Sequence, residues 1–507
     1  MNSEILANLT ERRFLQIWYS QNLKTINLTA TDGRKIEVIR RGKWNFDTGP
    51  DFKSALLRIG NQLQPGDVEV HLRTTDWYAH RHDKDPHYNQ VILHVVLWED
   101  LKNPVIRQDG QPVPTLVLEH FLKQVDFQRL FKTYFSPRSR SPQTSFSCLE
   151  EIKILPRKKL MELLQEKADL RFQQKVRRFE ARYREGEERE WRKERSAIPC
   201  FSTSLPSPDS GWDQLIYEGF LEALGYPINK KPFLKLAQLL PLESLRNVIT
   251  RSGKESKVLW LQAVLLGTAG LLPASPSSPG LKVADQKNLD SETKSYLDEI
   301  YSLWEMLKPC LADVQMQPEE WQFFRIRPLN SPIGRLARFS FVLAKLPSSS
   351  WIHSYVTLLT DLPESSSWRV ETVKKLEASL GVPISGYWTC HNGFSGGVFP
   401  PIRVAIGRNT LREMVINVLL PILYFYAEKT SWPHLQKRIY QLYQTYPAPA
   451  YNRVTRFMGE NLFQEDSAEP EPFRQEMGYA RTHQGLIQLH TELCQMKGCP
   501  TCPYRTF

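Results

Sequence analysis

The sequence predicts an α/β domain at the N-terminus followed by a mainly α-helical domain. Three observations carry this. Short runs rich in β-branched and aromatic residues, punctuated by Asp32-Gly33, Gly60-Asn61 and Pro65-Gly66, fill the stretch from about residue 25 to about residue 120. From about residue 150 the apolar positions instead recur at helical spacing. A chain of 507 residues also exceeds what one hydrophobic core ordinarily spans.

In chain order, residues 3–20 read as an amphipathic helix with Leu6, Leu9, Phe14, Ile17 and Trp18 on one stripe. Strands are predicted at 25–31, 35–41, 52–59, 67–73, 91–98 and 115–119. The segment 75–90 lies between two of them and has room for a short helix before Pro86. The α/β domain therefore covers 1–125. A mainly helical domain follows over 126–460, with linkers near 202–211 and 273–280, and 461–507 forms a cysteine-bearing closing segment. Residues 157–195 predict a long helix whose first half carries an apolar stripe and whose second half, REGEEREWRKER, is mostly charge and reads as a solvated face. Further helices are predicted from Trp212 to Glu428, and no fixed-period repeat is visible.

Composition narrows the class. With 41% hydrophobic and 24% charged residues, the chain has the balance of a soluble globular protein. No run of about 18 apolar residues predicts a transmembrane helix, so no membrane partner is expected. The first residues lack the basic-then-apolar order of a secretory signal. Seven cysteines, an odd number crowded toward one end, argue against a disulfide scaffold. The expected compartment is the cytoplasm. A net charge of +11 gives a positive long-range field that permits a DNA or RNA partner without requiring one.

Chemistry concentrates between Thr48 and Val96, where five histidines (His71, His80, His82, His87 and His94) share a short stretch with Asp51, Glu69 and Asp85. Glu69 and His71 sit two apart in a predicted strand and so share one face. Buried polar groups at that density are costly without a metal or a reaction to serve. Asp51 and Glu69 on neighbouring strands can supply carboxylate oxygens to Mg²⁺ or Mn²⁺, and His71, facing the same way, can position or deprotonate a water. His80, His82 and Asp85 offer a second donor set, suited to Zn²⁺ or Fe²⁺. Alternatively, His80, His82 and Asp85 contact substrate or support the site together with Trp77 and Tyr88. His94, in the apolar run VILHVV, reads as a core histidine.

At the C-terminus, Cys499 and Cys502 are separated by two residues and can bite one metal, with Cys494 as a third ligand and His490, His483 or a distant cysteine as candidates for the fourth. Spacing alone does not separate Zn²⁺ from an iron–sulfur cluster. Cys148, Cys200, Cys310 and Cys390 read as scattered buried thiols, and Cys390-His391 as part of a Gly-rich turn. No Walker loop or dinucleotide fingerprint is present.

Pro50-Asp51, followed after 17 intervening residues by Glu69-Val70-His71, together with the helix–strand–strand–strand–helix–strand order, resembles the restriction-endonuclease-like nucleases. That resemblance implies a mixed sheet with Asp51, Glu69 and His71 as catalytic residues for metal-dependent phosphodiester hydrolysis. His71 stands where those nucleases carry lysine. The chain as a whole resembles a bacterial family catalogued as domain of unknown function 2851. The residues that carry this are Gly49–Phe52, Gly66–His71, Asp76-Trp77, His80, His82, Asp85, Tyr88, the 91–96 strand, Trp212–Tyr226, Leu265–Leu272, Phe324–Asn330, Asn417–Pro421 and the terminal Cys-x2-Cys. Three functional expectations follow: a metal-dependent nuclease or nucleic-acid-processing protein, a non-catalytic nucleic-acid-binding scaffold, or a small-molecule metal hydrolase built on His80, His82 and Asp85.

Overall fold

The computed structural model describes residues 11–21, 27–45, 49–122, 157–188, 209–226, 228–253, 257–273, 289–311, 314–323, 326–345, 350–363, 365, 367–394, 398–463 and 477–494. The chain divides into two compact units. The first takes the described residues within Met1–Lys167, Tyr451–Glu469 and Gly485–Phe507; the second takes those within Ala168–Ala450 and Pro470–Gln484.

The first unit is built on a mixed sheet. Helix α1 (Glu11–Ser20) precedes strands β1 (Leu28–Thr29), β2 (Lys35–Arg40), β3 (Lys43–Trp44), β4 (Phe52–Ile59) and β5 (Gln62–Arg73). A crossover carrying the short helix α2 (Asp76–Ala79) and two 3-10 turns, His82–Lys84 and Pro86–Tyr88, leads to β6 (Val91–Trp98). Strands β7 (Val105–Ile106), β8 (Pro112–Val113) and β9 (Thr115–Val117) and helix α3 (Glu119–Leu122) follow. The sheet order is β1-β2-β4-β5-β6-β9 with β3 beside β4, while β7 and β8 pair separately. Pairings up to β4–β5 are antiparallel, and β5–β6 and β6–β9 are parallel.

The sequence explains this switch. Gly60 takes φ +60° at the first position of the two-residue loop joining Ile59 to Gln62, where a side chain would be strained. Pro65-Gly66, expected to end a strand, instead lies inside β5. A Cβ at position 66 would sit 2.4 Å from Ile92 Cγ2 and 2.7 Å from the Gln90 carbonyl, so glycine lets the start of β6 close onto β5. Downstream, Val68, Glu69, Val70 and His71 are all buried, as are nearly all residues of β6. Continuous burial is what a parallel strand covered on both faces requires. Glu69 and His71 thus enter the interior on the face opposite Val68 and Val70.

The second unit is helical. The long helix α4 (Arg157–Glu188) contributes its residues from Ala168 onward. It is joined by α5 (Ser210–Leu224), α6 (Lys230–Leu239), α7 (Leu242–Arg251), α8 (Lys257–Thr268), α9 (Ser291–Leu311), α10 (Pro332–Ala344), α11 (Trp351–Thr360), α12 (Trp368–Leu380), α13 (Arg408–Met414), α14 (Leu420–Lys429) and α15 (Pro433–Thr445). Helix α8 is apolar nearly all round and accordingly buried, with Gly267 giving room to the Trp304 ring of α9. A π-helical turn, Val415–Leu419, joins α13 to α14. The run Arg408–Lys429 is long and apolar enough to cross a membrane by composition, but 67% of that window is buried inside the fold. Cys390 is a free, half-buried thiol, whereas Cys310, read from sequence as a thiol, is disulfide-bonded. Helix α16 (Arg453–Leu462) belongs to the first unit, and α17 (Ala480–Leu489), in the second unit as far as Gln484 and in the first from Gly485, runs into the π turn His490–Cys494 and completes the described elements.

Candidate metal centre

Three elements converge at one place. Strand β5 projects Glu69 and His71 from the same face, and the crossover returns His80 and His82 over them. The residue between those two histidines, Arg81, holds φ +61°, a left-handed conformation uncommon for any residue but glycine. Here it brings both neighbouring imidazoles back toward β5. The ligand atoms of His71, His80 and His82 lie within 4.8 Å of one another.

Individual distances are tighter. His71 Nε2 lies 3.1 Å from His80 Nδ1 and 3.4 Å from Glu69 Oε1. His82 Nε2 is 3.3 Å from the same Glu69 oxygen. It is nevertheless buried without a hydrogen-bond partner, so the contact with Glu69 is close but not aligned for a proton between them. Glu69 is steadied from its other end, where Oε2 accepts a 2.8 Å hydrogen bond from the Asp51 backbone N–H. The Asp51 carboxylate accepts from the Val70 backbone N–H through Oδ2 at 3.1 Å, tying β4 to β5 beside the cluster. A β-bulge at the start of β4, with Ser54 at φ +58° donating its N–H to Asp67, accompanies this arrangement.

Behind the cluster, His71 Nδ1 lies 2.9 Å from His94 Nε2. His94 is fully buried and pairs in register with Glu69 on β6. The loop side is packed by aromatics. Tyr88 stacks on His82 with ring centroids 3.7 Å apart, and the buried Trp77 meets His82 edge-on and donates Nε1–H to the Ile106 carbonyl. Glu69, His71 and His82 are buried, whereas His80 is exposed.

Burial sets the electrostatics. It pushes the His71 imidazole well below its ordinary range, reinforced by His94, His82 and His80. Burial likewise brings His82 down to about 4 against the upward pull of Asp85, Glu11 and Asp83, and brings His94 to about 3. These rings are neutral at physiological pH and offer lone pairs.

The other expected residues fall elsewhere. Asp85 accepts the His87 backbone N–H at 2.9 Å, capping the Pro86–Tyr88 turn, and lies 2.7 Å from His87 Nδ1. His490 sits in the π turn, its ring 6.1 Å from Phe457 and its pKa lowered to about 4 by burial, with Arg41 and Arg453 adding to this. The side chain of Cys494, and Cys499 and Cys502 entirely, lie outside the described residues. Sequence reasoning treated Glu69–His71 and His80–His82 as separate sites, and the fold merges them. His94, read as core, is also the partner of a converging ring, for which an in-register polar residue on the neighbouring strand was the only available signal.

Fold and site together define a protein with a mixed-sheet unit carrying a three-histidine, one-carboxylate cluster and a separate helical unit. The family model described as protein of unknown function (DUF2851) matches residues 11–195 and 201–451, and the chain belongs to that family. No curated protein and no solved structure matches it.

Proposed function

We propose that the N-terminal unit is a metal-dependent hydrolase centre, with a first-row transition ion, Zn²⁺ foremost, held by His71 Nε2, His80 Nδ1, His82 Nε2 and Glu69 Oε1. The supporting observation is the spacing of these atoms at 3.1, 3.3 and 3.4 Å. Ligands on a tetrahedral ion with bonds of about 2.0–2.1 Å stand about 3.3–3.4 Å apart. Ordinary packing of neutral imidazoles does not need that vertex-like arrangement, nor a buried nitrogen without a hydrogen bond. Such an ion supplies a water acidified to near neutral pH.

The chain's own groups do the rest. For His71 to turn its Nε2 lone pair inward, Nδ1 must carry the proton, which it donates to His94 Nε2. Glu69, anchored through Oε2, keeps Oε1 at the centre as its carboxylate ligand, so an attacking water would enter as an added ligand and release its proton to solvent on the side of the exposed His80. His80, the exposed member, marks the side from which a small substrate reaches the centre.

A second reading, a restriction-endonuclease-like nuclease, keeps Mg²⁺ or Mn²⁺ on Asp51 and Glu69 with His71 as base. It is favoured by the adjacency of those two acids across β4 and β5.

Elemental analysis of full-length protein, wild type beside His80→Ala and Glu69→Gln, tests the first reading. One equivalent of zinc, iron or manganese is expected, with at least a tenfold loss of affinity in both variants and parallel loss of hydrolysis of a chromogenic ester or phosphoester. Full metal retention in His80→Ala would sink it. Cleavage of nucleic acid in Mg²⁺ that survives His80→Ala but not Asp51→Ala would establish the second.

A further inference from the structure

A second polar constellation lies wholly in the helical unit. On α4, Arg171, Lys175, Arg178 and Arg182 recur at three- and four-residue spacing and line one face. A lysine or arginine row on a helix normally extends into water or meets carboxylates. Lys175, among the described residues, does neither. Lys175 Nζ donates to Asn417 Oδ1 and Gln484 Oε1, two neutral amides, and Arg171 Nε donates to the same Gln484 oxygen at 2.9 Å.

Arg178 and Arg182 share one carboxylate, Glu222, at 3.2 and 2.9 Å. Arg182 Nη1 is buried with no hydrogen-bond partner. Lys230 adds a fifth cation, its Nζ 4.9 Å from the centre of the Tyr226 ring, and among the described residues it makes no ion pair. Glu413 is occupied by the Asn417 amide. Among the described residues, Lys175, Arg178, Arg182 and Lys230 therefore face the carboxylates of Glu222 and Glu413, an excess of two positive charges.

The backbone is shaped for this arrangement as well. Asn417 lies in the π-helical turn Val415–Leu419, a widened turn that proteins use mostly at functional positions. The turn fits because a Cβ on Gly219 of α5 would approach Val418 Cγ1 to 2.4 Å. Burial lowers the Lys175 ammonium well below its usual range, with Arg171 adding to the effect, and also lowers Arg171, Arg178 and Lys230. An unbalanced cluster of this kind is costly unless an anion neutralises it.

We infer that Arg171, Lys175, Arg178 and Lys230 form a binding site for a phosphoryl group, either free phosphate or the terminal phosphate of a nucleotide or nucleic-acid strand. A tetrahedral dianion matches several converging N–H donors, and guanidinium groups bind it through paired hydrogen bonds. Tyr226, 62% exposed beside Lys230, supplies a ring on which a base can stack.

Calorimetric titration of the full chain tests this with inorganic phosphate, AMP, and a short single strand with and without a 5′-phosphate. Binding is expected, weakened about tenfold to a hundredfold by Lys175→Gln or Lys230→Gln, the loss of one charge-assisted hydrogen bond each. Lys230→Gln, on a partly exposed side chain, remains informative if Lys175→Gln misfolds by circular dichroism. Phosphate and AMP binding equally well would assign free phosphate. AMP binding more tightly, with the difference lost in Tyr226→Ala, would assign a nucleotide. Preference for the phosphorylated strand over both would assign a polynucleotide end. Absence of binding at millimolar phosphate and AMP, binding unchanged in both lysine variants, or equal affinity for the unphosphorylated strand would each overturn the proposal.

Discussion

His94 shows how much one buried residue can decide. Its Nε2 is the partner of His71 Nδ1, and its own Nδ1 is buried without a hydrogen bond. If His71 binds an ion through Nε2, the proton between the two rings must sit on His71, leaving His94 as acceptor. His94→Phe keeps the volume but removes that acceptor. Metal affinity should fall about 10–100-fold, the usual cost of losing a partner that orients a ligand. Competition against a chromogenic chelator measures it, and an unchanged affinity would mean that His71 is oriented by packing alone. Arg81 acts differently, through backbone: its left-handed φ brings the two loop histidines onto the strand.

At the scale of elements, the decisive join is β5 to β6. Gly66 permits the close approach from which the parallel register follows, pairing Glu69 with His94 and His71 with Val96. Gly66→Ala drives a methyl into Ile92 and the Gln90 carbonyl and should destabilise the protein by about 1–3 kcal/mol, readable in urea unfolding. Stability within a few tenths of wild type would show that the crossover is soft. This join also marks the limit of what the sequence discloses. Strands 52–59 and 91–98, and helices such as Leu242–Arg251 and Trp351–Thr360, stand where the apolar pattern put them, because that pattern is the burial pattern. Pairing order has no local signal. Pro65-Gly66 has the composition of a turn yet lies within a strand, since the need for glycine comes from a neighbour about 26 residues away. For the same reason, Glu69–His71 and His80–His82 were each visible as candidates but not as one cluster. The α4 cation row gave no signal of its own beside the apolar stripe, because the amides of Asn417 and Gln484 that meet Lys175 lie more than 240 residues further on.

For the whole molecule, the buried imidazoles make stability depend on pH. Their folded-state values lie below 6.5, with His82 at about 4 and His94 at about 3, so the unfolded chain binds more protons in between. Their contribution to stability is therefore fully present above about pH 6.5 and is lost as pH falls toward 4 and then 3. Metal-free protein should therefore show a steadily falling midpoint of denaturation over that window, and a flat profile between pH 6.5 and 4 would contradict the burial of these rings. All four converging donors lie between residues 69 and 82. An ion joining them closes only a short loop, at low entropic cost, and can do so before the distant partners of the helical unit have been synthesised. The crossover could then be fastened to its strand while the rest of the chain is still emerging, making the centre an early clasp in folding as well as a place for chemistry.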